Sequence, residues 1–591
     1  MRWNSATGAG PRSSGGRSGS FSGWVWVGVG CTDPLRAGPR RVAPGGTDIV
    51  MPEGGHSPFS TRVRVAAGLA LLLSSLGVLA SHNLGYTGMW WDEGAQFWIS
   101  QGLSNYAPPF AERRGLRDVL RMNRLENLDP GGFSVLLHAW TSIGRGLATL
   151  RALPLAFFAL GTLASGFLGW RLSRSASFAL AASAVPCLYP AVLYFALEVR
   201  AYSMEMAGLA IAAVVLVLVH ERPSAGRAAV LGLSCAAFLT ARYSFIFITL
   251  ALAGALWLGC LRRLPRITRI RALLAFVLPV FVAGLGILYV TLGHQLSNGM
   301  RGGPLGIASP MYTREAGLRT TGDLPALLRR GLVSPEALPI TTCALVVLLF
   351  RRRIYARLGA GPDDTELAHS RETFSMLYVF ILGVQALSVA ASAVGMYPWD
   401  ITSRWSAYLV MLSALSAIVL AAETRMLVLV GLARREISPD VRRTLGHLGA
   451  GLGALVVIAA SAHMMVHRQS VEGPHRTDVA LQLDRLPRAL PARSVFVAFY
   501  EVPMVRYLYE YGPFRGRREY PSRFRFDTLA RWQAKAPLRG RRDGIEFVVS
   551  ALPITEAQAR FPGSTLRRFG PDGSRLLAVE ALKGAAHDAS K

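Results

Sequence analysis

The 591-residue sequence predicts a mainly α protein: a polytopic bundle of transmembrane helices followed by a small extracytoplasmic α/β domain. Three observations lead there. Only 17% of the residues are charged, against about 25% in an average soluble domain, and the mean hydropathy is +0.33. Apolar stretches such as Ala66–Ala80, Ala201–Val219 and Leu273–Leu292 approach the length that crosses roughly 30 Å of hydrocarbon as a helix. The arginines fall in short clusters between these stretches, as in cytoplasmic loops.

Residues 1–60 are rich in Gly, Ser, Pro and Arg without periodicity, and read as a disordered tail. The apolar patch Trp24–Gly30 is too short to span, and no apolar core with a cleavage site marks a signal peptide. Met51 is an alternative start, because Arg62 and Arg64 then form an ordinary cytoplasmic flank for the first span.

Eleven spans follow, at about 64–83, 152–171, 177–195, 201–219, 226–242, 244–261, 272–292, 337–350, 373–393, 405–422 and 446–465. With the N-terminus inside, the inside loops hold Arg171 and Arg174, Arg222 and Arg227, the five arginines of 262–271, Arg351–Arg353 with Arg357, and five more between Arg425 and Arg443. The segment 131–148 is apolar enough for a short span, but counting it would turn the five-arginine loop outward. It is therefore placed as an interfacial helix. The membrane module thus covers 61–466, with extracytoplasmic loops at 84–151 and 293–336. The region 467–591 forms the C-terminal domain, where Ser494–Phe499, Ile545–Ser550 and Leu576–Val579 read as strands and Val502–Tyr511 as a helix.

The net charge of +28 rests almost wholly on arginine, since Lys535, Lys583 and Lys591 are the only lysines. Most of the arginines sit in short clusters between apolar segments, so no nucleic-acid partner is expected. The five cysteines show neither a disulfide framework nor metal-ligand spacing.

Chemistry gathers at the outer ends of spans. After span 1 comes Trp90-Trp91-Asp92-Glu93-Gly94-Ala95, two adjacent carboxylates beside interfacial indoles. Such a pair can supply a general base or hold a divalent cation, although local chemistry alone favours a solvated loop with an aromatic anchor. Span 4 opens with Glu198-Val199-Arg200-Ala201-Tyr202, then Glu205, which shares a helical face with Tyr202. Ionisable groups at such places mark polar cavities, although Glu198 and Arg200 also read as a pair ending two helices. Arg404 reads either as a site residue or as a snorkelling arginine.

In order, Trp91-Asp92-Glu93-Gly94-Ala95, Asn127-Leu128-Asp129-Pro130-Gly131 running into Phe133–Trp140, Leu150-Arg151-Ala152-Leu153-Pro154, and Glu198–Tyr202 resemble the integral-membrane GT-C glycosyltransferases. The branch they look most like is protein-mannosyltransferase-like and includes the lipid A aminoarabinose transferases. That resemblance implies a polyprenyl-phosphate-linked sugar donor, a cell-envelope acceptor (lipid, glycan or protein), and transfer on the extracytoplasmic face of a bacterial cytoplasmic membrane. It makes Asp92 the catalytic carboxylate, with Glu93 beside it, and places the segment after Pro130 as a juxtamembrane helix below the site. Many relatives carry His-Pro-Pro where this chain has Asp129-Pro130-Gly131, which adds a third carboxylate.

A lipid phosphate leaving group calls for cations, and Arg200, Arg242 and Arg404 are expected at phosphate depth. Asp129, Glu198 and Tyr202 complete the expected substrate-binding set. A single in-line displacement would invert the anomeric centre. The competing readings are a ligase or polymerase moving a lipid-linked glycan, a transporter or flippase, and an idle scaffold. A transporter would place its polar groups at mid-bilayer on broken helices, whereas these lie at the outer rim.

Overall fold

The computed structural model describes residues 58–84, 91–105, 110–127, 129–297, 336–357, 365–393, 406–434 and 438–466, isolated positions at 89, 107, 332–334 and 397, and short pieces between 495 and 580. The expectations for residues 1–57, most of the loop 293–336, Trp90 and Arg404 lie outside the described residues.

Helix α1 (Pro58–Leu84) leads into three short helices, α2 (Trp91–Ser100), α3 (Leu116–Glu126) and α4 (Gly132–Trp140). With nine residues, α4 is about 14 Å long, far short of a membrane crossing. The bundle continues with α5 (Leu147–Ser173), α6 (Ala176–Ala184), α7 (Pro190–Ala196), α8 (Tyr202–Glu221), α9 (Ala225–Leu239), α10 (Phe245–Gly259), α11 (Arg266–Ile287) and α12 (Gly293–Ser297). It closes with α13 (Leu338–Leu345), α14 (Arg351–Arg357), α15 (Thr365–Ala393), α16 (Ala407–Arg434) and α17 (Pro439–Val466).

Each of the eleven expected spans coincides with a helix or a pair of helices. Among the described residues, seven helices are long and apolar enough to cross a membrane: Leu147–Ser173, Tyr202–Glu221, Phe245–Arg263, Arg266–Gln295, Leu367–Ala393, Ala407–Leu432 and Thr444–Val466. The third expected span is not one straight helix. It breaks by 83° between Ala176–Leu188 and Pro190–Ala196. Proline is the cause: Pro186 lies in a 3₁₀ turn, and Pro190 holds Tyr189 in extended backbone. His463 Nδ1 meets the Cys187 carbonyl at the break, 2.9 Å away, so a backbone acceptor freed inside the bundle keeps a partner.

The burial pattern fits a lipid-facing bundle. Helix α8 is buried along most of its length, whereas α11 turns Leu274, Leu278, Phe281 and Leu285 outward. Ser175 and Ser224 cap α6 and α9 by accepting from Phe178 N and Arg227 N.

Beyond the bundle, helix α18 (Val502–Glu510) accompanies β1 (Val495–Ala498), β2 (Phe524–Phe526), β3 (Glu546–Ser550), β4 (Thr565–Arg568) and β5 (Leu577–Glu580). The sheet order is β2-β1-β3-β5-β4, with β1 parallel to β2 and β3, and β5 antiparallel to β3 and β4. The two strands not expected from sequence, Phe524–Phe526 and Thr565–Arg568, are the two edges. Short, arginine-bearing strands are typical of sheet edges and lack the apolar run that reveals a central strand. Helices α2 and α4 share a second apolar core with α18, built around Phe97, Trp98, Phe133, Leu137, Val505 and Leu508.

Candidate active site

The site is assembled from the start of α2, the turn between α3 and α4, the bend before α8, and the turn between α9 and α10. Asp92 and Glu93 occupy the first turn of α2, where the helix dipole favours carboxylates. Neighbouring helical positions point about 100° apart, and the two side chains accordingly diverge. Glu93 is fully buried; its Oε2 lies 3.5 Å from Arg151 Nη2, and its Oε1 accepts from Val199 N at 3.1 Å. Asp92, also buried, lies on the side of Arg200 and is the strongest carboxylate influence on it.

One turn further on, Gln96 shares the Asp92 face. Its Oε1 accepts from Arg200 Nη1 at 3.4 Å and from Asn127 Nδ2 at 3.3 Å, and its Nε2 donates to Ser134 Oγ at 2.7 Å. Asn123 Oδ1 accepts from both Asn127 Nδ2 (2.8 Å) and Ser134 Oγ (2.7 Å). Gln295 Nε2 donates to the Asn127 carbonyl at 2.8 Å and closes the network from the far side.

Asp129 sits between two guanidiniums, its Oδ2 3.7 Å from Arg200 Nη2 and its Oδ1 3.7 Å from Arg242 Nε. Two glycines make that placement possible. Gly131 has φ +104°, in the left-handed region. Gly132 N donates to the Thr240 carbonyl at 2.8 Å, and a Cβ on Gly132 would lie 2.1 Å from Thr240 Oγ1. The chain thus turns tightly onto the α9–α10 corner that carries Arg242.

Arg242 is held from several directions. Its guanidinium stands 4.5 Å over the Tyr202 ring, Nη1 lies 3.4 Å from Glu205 Oε2, and Nη2 donates to Tyr397 Oη at 3.4 Å. Tyr202 and Glu205 do share a helical face, the one turned to Arg242. Glu205 also accepts from Ser244 Oγ. Burial alone would lower both arginines. Asp92 first, then Tyr202, Asp129 and Glu198, outweigh it and hold Arg200 above its ordinary value. Tyr397, Glu205, Asp129 and Tyr202 do the same for Arg242. Arginine stays protonated in any protein environment, so the buried site holds two permanent cations. Glu198 is buried in the bend just before α8.

The structure thus brings together Asp92, Asp129, Glu198, Arg200, Tyr202 and Arg242. It turns Glu93 aside to Arg151, so a divalent cation shared by Asp92 and Glu93 does not fit the side chains present. Among the described residues, no three His, Cys, Asp or Glu side chains form a metal-binding group. Sequence reasoning missed Gln96, Ser134, Asn123, Gln295 and Tyr397. For Gln96 a signal existed, its position one helical turn after Asp92; the others are joined to the site only by tertiary folding.

No protein-family model and no curated protein matches this sequence. Solved structures do. ArnT from Cupriavidus metallidurans bound to undecaprenyl phosphate aligns with a TM-score of 0.51, covering 90% of this chain and 99% of ArnT at 14% sequence identity. The chain has the fold of ArnT. The apo form of ArnT gives a TM-score of 0.46, 13% identity, and coverage of 89% of this chain and 98% of ArnT. The ArnT-type fold bears out the architecture expected from the ordered motifs between Trp91 and Tyr202, in an integral membrane protein.

Proposed function

We propose that this protein is a glycosyltransferase that moves a sugar from a polyprenyl-phosphate carrier to a cell-envelope acceptor on the extracytoplasmic face of a bacterial cytoplasmic membrane. The observation that carries the reading is the pair of buried guanidiniums, Arg200 and Arg242, that share Asp129 at 3.7 Å each, with the buried Asp92 on the Arg200 side. The ArnT-type fold and the undecaprenyl phosphate bound in the ArnT structure support the donor class. The arginine-dominated composition, typical of high-GC bacteria, and the basic inside loops support the location.

In this reading the acceptor O–H or N–H attacks the anomeric carbon while Asp92 takes its proton. The bond from that carbon to the phosphate oxygen breaks, and the electron pair leaves with the lipid phosphate. Arg200 and Arg242 stabilise the departing charge, and Arg404 is proposed as a third cation. One displacement inverts the anomeric centre. Asp129 bridges the two arginines and holds them in place, and the Tyr202 ring supports Arg242. Glu198 adds a buried carboxylate that tunes Arg200. Glu93 acts as an anchor through Arg151 and Val199 N.

The test is lipid analysis of a deletion strain together with transfer by the purified protein. The reading expects one polyprenyl-phosphate sugar to accumulate in the strain, and the purified protein to consume that lipid and release free polyprenyl phosphate. A strain with unchanged lipids, and protein inert toward every polyprenyl-phosphate sugar offered, would end it.

A further inference from the structure

Helix α2 has two opposed faces. Asp92 and Gln96 lie on one, toward Arg200, while Gly94 and Trp98 lie about 200° around the helix. That second face is covered by α18, from the far end of the chain.

The contact is close and specific. Trp98 Nε1 donates to the Pro503 carbonyl at 2.8 Å. A Cβ on Gly94 would meet Met504 N and Pro503 C at 2.8 Å, so only glycine lets the two backbones approach this way. The Arg506 guanidinium is fully buried, 3.8 Å over the Trp98 ring. Its Nη1 lies 3.3 Å from the carbonyls of Ser104 and Asn105, just beyond the end of α2, and its Nε lies 3.3 Å from Glu510 Oε1. Tyr507 Oη donates to the Arg145 carbonyl at 2.8 Å, tying α18 to the α4–α5 turn as well.

We infer that α18 is a working part of the active site, and that Arg506 is a positioning residue for the catalytic carboxylate. Arg506 holds α2 through the Trp98 ring and through the carbonyls of Ser104 and Asn105 in the loop that follows the helix, which sets the depth and rotation at which Asp92 meets the reacting groups. The extracytoplasmic C-terminal region is then required for catalysis, beyond any part it has in recognising an acceptor. This inference rests on the assignment of Asp92 proposed above.

The test uses full-length protein carrying Arg506→Met, Arg506→Lys or Gly94→Ala, with two readouts. Steady-state transfer separates kcat from KM for the polyprenyl-phosphate sugar. Hydrogen exchange compares the peptide covering 91–102 with the one covering α8. In Arg506→Met, kcat should fall by about 10²-fold, the order expected when a reacting group moves by about 1 Å. The donor KM should stay near wild type, and exchange should rise in 91–102 but not in α8. Arg506→Lys keeps the charge near Trp98 but loses the Nε contact to Glu510 and the planar stacking on the indole, and should lie between. Gly94→Ala forces the backbones apart and should repeat the Arg506→Met signature if that variant folds poorly. Unchanged exchange in 91–102, or a kcat within twofold of wild type, overturns the inference. Wild-type protein that transfers no sugar defeats the proposed function instead, and the exchange comparison still decides whether α18 anchors α2.

Discussion

Asp129 and Arg200 face each other at 3.7 Å, Oδ2 to Nη2, an ion pair joining the turn before α4 to the bend before α8. The same carboxylate lies 3.7 Å from Arg242, so it occupies the charge that an incoming phosphate would take. Asp129→Asn should therefore tighten binding of polyprenyl phosphate, by about tenfold for a gain of about 1.4 kcal/mol. It should also lower the Tm of the empty protein, because two buried cations lose a partner. Ligand titration with thermal unfolding checks both, and weaker binding would show that Asp129 is not a stand-in for phosphate.

Arg200→Ala and Arg242→Ala should each raise the apparent donor KM. Hydrogen bonds to charged groups contribute about 1.5–3 kcal/mol, which corresponds to roughly 10- to 150-fold. Arg200→Lys should recover only part of the loss, since a lysine cannot reach Asp129 and Gln96 together as a planar fork does. Transfer kinetics over a donor series give the answer, and unchanged KM in both alanine variants would place phosphate binding elsewhere.

Glu93 and Arg151 form a buried pair, and breaking such a pair from one side typically costs about 3–5 kcal/mol. Glu93→Gln should lower Tm and abundance, while the folded fraction retains more turnover than Asp92→Asn does. The double variant Glu93→Gln/Arg151→Met should regain stability over the single one. Equal loss of turnover in Glu93→Gln and Asp92→Asn at unchanged Tm would return Glu93 to the chemistry.

Membrane topology is open to direct labelling. Cysteines introduced at the exposed positions Ser142 and Arg117 should react with an impermeant maleimide from outside. One at Arg353, also exposed, should react only after permeabilisation. The native cysteines of the described bundle are all buried and should stay silent. Reversed labelling would turn the site to the cytoplasm.

Much of this fold is legible from apolar run length and arginine placement, because a bilayer imposes both on any chain that crosses it. The break at Pro186 and Pro190 was visible as two prolines in one apolar run, yet hydropathy alone reads through it. The edge strands escaped because an edge needs no apolar run. In the site, Asp92, Arg200 and Arg242 stood out as charges at span ends. Their mutual arrangement did not, since it depends on the left-handed turn at Gly131 bringing Asp129 between two distant arginines. The docking of α18 on α2 was equally hidden: Val502–Glu510 alone reads as a helix, and nothing local says that Arg506 will close over Trp98.

The central claim is that Asp92 is the base in sugar transfer, and Asp92→Asn tests it most directly. The substitution keeps the shape of the side chain and removes the charge and the basic oxygen. In single-turnover assays with saturating polyprenyl-phosphate sugar, the transfer rate should fall by about 10²–10⁴-fold, while abundance, Tm and lipid-phosphate binding stay near wild type. Purified Asp92→Asn protein that transfers sugar within a few-fold of wild type would contradict it.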